Sequence, residues 1–187
     1  VIKSIFEKAK INKDIFFISA DFGAPALDQF RDELPSQFIH SGISEQNTVD
    51  LAAGLALEGR TVFVYAMAPF VSLRCLEQHK CATGIMNLNV CTLVAGIGLG
   101  YADAGPTHYS TEDICIMKVF PNITIYTPAD NVSSNIITDK IIKRDHFNYL
   151  RLDRDALPTI YRKANFNFER GFNFLNRKKN KVCIITC

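Results

Sequence analysis

Several stretches of this chain are apolar on consecutive residues rather than on alternate ones. They include Ile15-Phe16-Phe17-Ile18, Val62-Phe63-Val64-Tyr65 and Val90-Cys91-Thr92-Leu93-Val94-Ala95. A strand with one wet face alternates, whereas a strand apolar throughout has to be covered on both faces, the situation of a parallel sheet wrapped in helices. Segments between these runs carry helical spacing, so strands near 15–19, 38–40, 60–65, 89–95, 123–126 and 147–152 alternate with helices near 1–10, 27–33, 45–58, 70–86, 111–119 and 131–143. That alternation predicts an α/β fold, a doubly wound, mainly parallel sheet with helices on both faces.

Composition bounds the rest. With 187 residues, 48% apolar and 21% charged, the chain has the make-up of one globular domain with ample core. The net charge of +2 is scattered and says nothing of partners, and the basic cluster at Arg177 to Lys181 reads as a solvated linker rather than a nucleic-acid arm, so no nucleic-acid partner is expected. No apolar run approaches the roughly 18 residues of a membrane span. The six cysteines form no Cys-x-x-Cys pair and several lie in apolar runs, which points to reduced thiols and a cytoplasmic setting. The four histidines are not spaced with them as zinc ligand sets are, so no metal site is assigned. Residues 1–158 read as the domain, 159–181 as a polar, Asn- and Phe-rich linker, and 182–187 (VCIITC) as the first strand of a truncated further domain.

In such a sheet, ligands collect at the carboxyl ends of the strands. Four loops fall there, near 21–25, 40–45, 65–70 and 96–110. The stretch QFIHSGISEQNTVDLAAGLALE (37–58) carries one acid, Glu45, in the first turn of an otherwise uncharged opening, with Ser44 as candidate N-cap. An acid so placed either complements the helix dipole or works chemically, and the stretch alone favours the first reading. Gly96-x-Gly98-x-Gly100 follows a strand as a dinucleotide fingerprint would. Its third glycine comes one place early, however, and no helix start follows. Gly105-Pro106-Thr107-His108 is a rigid turn presenting an imidazole before a helix, for which Thr111 is the candidate cap. Phe70 follows Pro69 at a helix start, and Arg151 and Arg154 flank the last strand, where arginines are ordinarily solvated.

Taken in order, SADFGAP (19–25), GISEQN (42–47), AAGLA (52–56), APFVSLRCLEQ (68–78), AGPTHYSTEDI (104–114) and FPNITIYTPAD (120–130) resemble the pyrimidine-binding domain of transketolases and their thiamine-diphosphate-dependent relatives. The resemblance runs from about residue 17 to 158. It implies that Glu45 hydrogen-bonds a ring nitrogen of the cofactor's aminopyrimidine, holding or sharing the proton through which the cofactor is activated. Phe70 would stack on that ring, although the family pattern can slide by one residue to Val71. His108 would act on the substrate's carbonyl or hydroxyls, Arg154 would meet a phosphate, and Asp103 would take the place of the family's donor-reading aspartate. The usual Asp-Gly-Pro-Thr-His is here Ala104-Gly-Pro-Thr-His, and Tyr109 stands where relatives often carry Gln or His. The family's Gly-Asp-Gly motif, which holds the diphosphate and Mg2+, does not occur in this sequence.

The resemblance therefore implies half a site, completed by a diphosphate-binding domain in cis or on a second subunit, within a homodimer acting on sugars. Transfer of a two-carbon ketol unit is the leading reading. A 1-deoxyxylulose-5-phosphate synthase, an oxo-acid dehydrogenase β-type subunit and a non-catalytic pyrimidine-domain subunit are the alternatives.

Overall fold

The structure, a computed structural model, describes residues 1–20, 23–162 and 167–175. Six strands form one all-parallel sheet: β1 (Ile15–Ser19), β2 (Phe38–His40), β3 (Thr61–Met67), β4 (Val90–Ala95), β5 (Thr124–Tyr126) and β6 (Asn148–Leu152), in the order β2-β1-β3-β4-β6-β5. The chain leaves β1 toward one edge of the sheet and β3 toward the other. The loops after these strands therefore part over a crevice at the carboxyl edge.

The pleat sorts the apolar runs onto two faces. Phe17, Phe63, Cys91, Leu93 and Leu150 pack beneath α1 (Ile2–Ile11), α2 (Asp28–Glu33) and α7 (Asn131–Ile141), whose Ile5, Phe6, Phe30, Ile137 and Ile141 complete that layer. Ile18, Val62, Val64, Val94 and Tyr149 face the other way, against α3 (Glu45–Leu57) and the short helices α4 (Ala68–Ser72) and α6 (Asp113–Met117). Val49, Ala52 and Ala56 form the buried side of α3, and their small size lets the helix lie close to the sheet. The continuous apolar runs are thus explained, since each strand has a covered residue on both sides.

The helix expected over 70–86 is broken. Pro69 opens α4, the helix stops at Ser72, α5 (Leu76–Gln78) is a single turn, and the chain then widens to bonds of i→i+5 type, Ile85 N–H to Lys80 and Leu88 N–H to Thr83. Buried His79 spans the break. Its Nε2–H donates to the Val71 carbonyl at 2.8 Å and its Nδ1 lies 3.1 Å from the Thr83 hydroxyl, while the ring stacks on Phe147. Burial pulls this imidazole down to about 4, against the opposing pull of the Val71 carbonyl, so it is a neutral structural group.

Arg151 departs from the solvated role expected of it. It lies within β6, only 8% exposed, and grips Asp113 at the start of α6 with two bonds, Nε to Oδ2 at 2.8 Å and Nη2 to Oδ1 at 3.2 Å. The Tyr149 hydroxyl donates to the same carboxylate at 3.2 Å, and Arg151 Nη1 reaches the Thr127 hydroxyl at 3.0 Å. Burial, then the charge of Asp113, hold the Tyr149 phenol well above its ordinary range, so it stays a donor. Thr111 does not cap α6, which begins after Glu112 with no side-chain cap.

Asp130 caps α7 as its position suggests, in a reciprocal box with Ser133. Its second oxygen accepts the backbone N–H groups of Ile160 and Tyr161 at 2.8 and 2.7 Å. Further along, Phe168 stacks on Tyr126 and Glu169 pairs with Lys140 at 2.8 Å, so the described part of the 159–181 segment lies against the domain. The strand expected at 182–187 falls outside the described residues.

These buried charges have measurable consequences. Arg151→Met leaves the Asp113 carboxylate buried without its cation and should destabilise the fold by about 3–5 kcal/mol in urea unfolding, most of it regained in Arg151→Met/Asp113→Leu. For Asp130, burial alone would raise the carboxyl's pKa, but the N–H donors of Tyr161, Ser133 and Ile160 hold it below its ordinary value. A lowered folded-state pKa contributes stability that is complete above the unfolded value of about 3.9 and fades as pH falls through the folded one. Stability measured from neutral pH down to that acid range should therefore fall more steeply in the wild type than in Asp130→Asn.

Candidate active site

Glu45 is delivered by β2. Ser41 N–H bonds the Ser19 carbonyl at 3.0 Å, the chain reverses through Gly42 at φ 72°, and α3 begins at Glu45 itself. Ser44 holds the N-cap position without capping by its side chain. Its hydroxyl donates instead to the Ser41 carbonyl at 2.7 Å, which tightens the turn. The Glu45 residue is 5% exposed, at the positive end of a helix of 13 residues. Its Oε2 accepts a bond of 2.8 Å from Arg74 Nη1.

Arg74 lies in the break between α4 and α5, and its guanidinium carbon sits 4.5 Å from the centre of the Phe70 ring. Pro69 and Val71 are buried, and Val71 belongs to the core. Phe70 is the half-buried aromatic that faces outward, meeting His108 edge-on with ring centres 5.1 Å apart. Of the two residues the motif can bring here, Phe70 is the one presented. Below it, burial, then the negative charge of Glu45, push the Cys75 thiol up to about 12, with Arg74 opposing; it is a packing group rather than a nucleophile.

The glycine-rich loop is shaped by its own packing, and no helix start follows its third glycine as a dinucleotide fingerprint would require. Gly96 adopts φ 76°, and a Cβ there would stand 2.1 Å from the Tyr101 ring, so the aromatic packs directly on glycine backbone. Gly98 and Ser110 exchange backbone bonds of 2.9 and 2.8 Å that close the loop's base, and beyond Gly100 the chain makes a single turn over Ala102–Ala104. His108 ends a second such turn, its Nδ1 3.0 Å from the Thr107 hydroxyl. Tyr101 lies 6.4 Å from His108, ring centre to ring centre. Arg154 stacks over Tyr101 at 4.8 Å and donates to Asp103 Oδ1 at 2.6 Å.

All five residues singled out from sequence, Glu45, Phe70, His108, Asp103 and Arg154, thus lie on one run of contacts along the carboxyl edge. Two residues that sequence reasoning passed over connect them: Arg74 joins Glu45 to Phe70, and Tyr101 joins His108 to Arg154. Both left a faint signal. Arg74 is the lone cation of the stretch APFVSLRCLEQ, and Tyr101 is the lone aromatic between Gly96 and His108. The run begins at a sheltered carboxylate, Glu45 (6% exposed), and ends at an open pair, Arg154 (41%) and Asp103 (69%). Among the described residues no group of three or more His, Cys, Asp or Glu side chains is gathered as a metal site would need, and no helix is long and apolar enough to cross a membrane.

Residues 5–159 match the family model described as transketolase, pyrimidine binding domain. The chain is 35% identical over 169 residues to one subunit of the apulose-4-phosphate transketolase of Phocaeicola vulgatus, covering 90% of this chain and 54% of that protein. It is 30% identical over 182 residues to a 6-deoxy-6-sulfo-D-fructose transketolase subunit of a Clostridium species, covering 97% of this chain and 56% of the relative. Among solved structures it superposes on a split gene transketolase, described as an inactive β4 tetramer, with a TM-score of 0.77 and 28% identity over 87% of this chain and 52% of that one. The chain spans about half the length of these relatives. With its six-stranded parallel sheet and a family match over most of its length, it belongs to the transketolase pyrimidine-binding domain family.

Proposed function

We propose that this chain supplies the pyrimidine side of a thiamine diphosphate site in a transketolase-type enzyme that moves a two-carbon ketol unit between anionic sugars. The observation that carries the reading is the unbroken run Glu45–Arg74–Phe70–His108–Tyr101–Arg154–Asp103. It offers a sheltered carboxylate, a flat aromatic, an imidazole and an outer cation–anion pair, in that order.

The residues present fit the group. Glu45 gives an in-plane partner to a ring nitrogen and Phe70 a face for a flat ring, and both already receive one planar nitrogenous group, the Arg74 guanidinium. When bound, thiamine diphosphate supplies a stabilised carbanion equivalent that takes up and releases the two-carbon unit. Glu45 would pass the proton at its carboxyl oxygen, from a fixed place at the head of α3. Phe70 orients the pyrimidine and excludes water from one of its faces. His108 is placed to donate to, or accept from, substrate oxygens as they change charge.

Arg154 and Asp103, at the exposed end, suit recognition of the far end of a sugar. The relatives' names include one phosphorylated and one sulfonated sugar, both anionic, which favours Arg154 as the group that meets the anion. Ala104 replaces the usual family aspartate, so donor recognition would rest on Asp103. The diphosphate and its Mg2+ fall to a complementary domain or subunit, and pairing of two such halves would complete each site.

In the protein assembled with its diphosphate-binding half, Glu45→Gln should lower turnover of ketose donors by about 100-fold or more while leaving thermal unfolding within a few degrees of wild type. Retained turnover would remove the catalytic assignment. Arg154→Ala should raise KM for a phosphorylated or sulfonated sugar roughly tenfold with little change in kcat, and should leave KM for an uncharged analogue almost unaltered, in steady-state kinetics.

A further inference from the structure

The Arg74 side chain makes two contacts, and the proposed function assigns both surfaces to something else. Its Nη1 lies 2.8 Å from Glu45 Oε2, the carboxylate meant for a pyrimidine nitrogen, and its guanidinium carbon lies 4.5 Å from the centre of Phe70, the ring meant for the pyrimidine face. A guanidinium is flat and delocalised, donates in its own plane and stacks through its faces. In those three respects it presents to this corner what an aminopyrimidine presents.

We propose that Arg74 is a latch on the pyrimidine pocket: its guanidinium competes with the cofactor's aminopyrimidine for the Glu45 carboxylate and the Phe70 face, and it swings away when the cofactor enters. The inference rests on the function proposed above.

The surroundings of Arg74 fit a moving side chain on a fixed base. Its carbonyl accepts a bond of 3.3 Å from the side chain of Gln46, the residue next to Glu45, so the two loops are tied at the backbone as well as through the ion pair. Cys75, the next residue, is fully buried, and its thiol donates to the Phe70 carbonyl at 3.4 Å. The Arg74 side chain itself is 47% exposed, against 6% for Glu45. Release therefore needs only rotation of the side chain toward solvent, with no repacking of the core. A sheltered carboxylate left without a partner is unfavourable, and Arg74 gives Glu45 one from within the same chain. An ion pair and a cation–π contact on a half-exposed side chain are each weak, so the latch biases the pocket without locking it.

Removing a competitor lowers the apparent dissociation constant by the fraction of time the pocket was covered. The test is calorimetric binding of thiamine diphosphate with Mg2+ to the protein assembled with its diphosphate-binding half, with stopped-flow association alongside. Arg74→Ala and Arg74→Met should each bind about five- to thirtyfold tighter and associate faster than wild type. Arg74→Lys, which keeps the charge and loses the flat face, should show a smaller gain. Most of the Arg74→Ala gain should disappear in a Glu45→Gln background. The position is half-exposed, and Arg74→Met keeps an unbranched stem should Arg74→Ala fold poorly. Unchanged or weaker binding in both variants overturns the latch. If Glu45→Gln still weakens binding in that event, the pyrimidine site stands without it; if Glu45→Gln leaves binding unchanged, the functional reading fails as well.

Discussion

The buried pair of Arg151 and Asp113 is the interaction on which the carboxyl edge depends. One partner is fixed inside β6 and the other begins α6, so the pair pins the far end of the loop that carries Tyr101, Asp103 and His108. The near end is closed by the Gly98–Ser110 exchange. Between these anchors the loop turns twice in short helical pieces and rests Tyr101 on Gly96. A buried ion pair adds little net stability compared with an apolar replacement, but breaking half of it is costly, so the start of α6 is held in place against β6. Positional precision is what catalytic side chains require.

Around that anchor, the sheet topology brings separate pieces of chain together. The loops after β2, β3 and β4 are distant in sequence and adjacent in space because β1 and β3 lie side by side and send the chain in opposite directions. Glu45 comes from the first loop, Phe70 and Arg74 from the second, and His108 from the third. The order of contacts runs from a sheltered acid to an exposed ion pair. A sheltered acid at one end and an open ion pair at the other are what the function proposed above asks of this edge.

Much of this was legible in the residues. Continuous apolar runs foretold a sheet covered on both sides, and five of the motif residues do converge on one edge. The match over residues 5–159 bears out the family resemblance. The features that were not legible have physical causes. The helix expected over 70–86 has the right period, but a fully buried imidazole at His79 spans a break that periodicity cannot register. Arg151 looked solvated because its partner lies 38 residues away. Arg74 and Tyr101 escaped notice because each is defined by the groups it joins, and pairings between loops are invisible in a linear pattern. Ser44 and Thr111 were sound cap candidates by type, yet a nearby carbonyl claimed one hydroxyl and the Glu112 carboxylate the other.

The Asp130 carboxylate has one oxygen in the opening turn of α7 and the other on the backbone of Ile160 and Tyr161. The chain leaving the domain is therefore moored to the head of a helix packed on the sheet, not hinged freely from the end of β6. A pull on the departing segment would be felt first at α7, on the face of the sheet opposite α3 and α4. That mooring lies on the layer opposite the one that holds Glu45 and Phe70, so strain entering through Ile160 and Tyr161 meets α7 before it meets the acid and the aromatic.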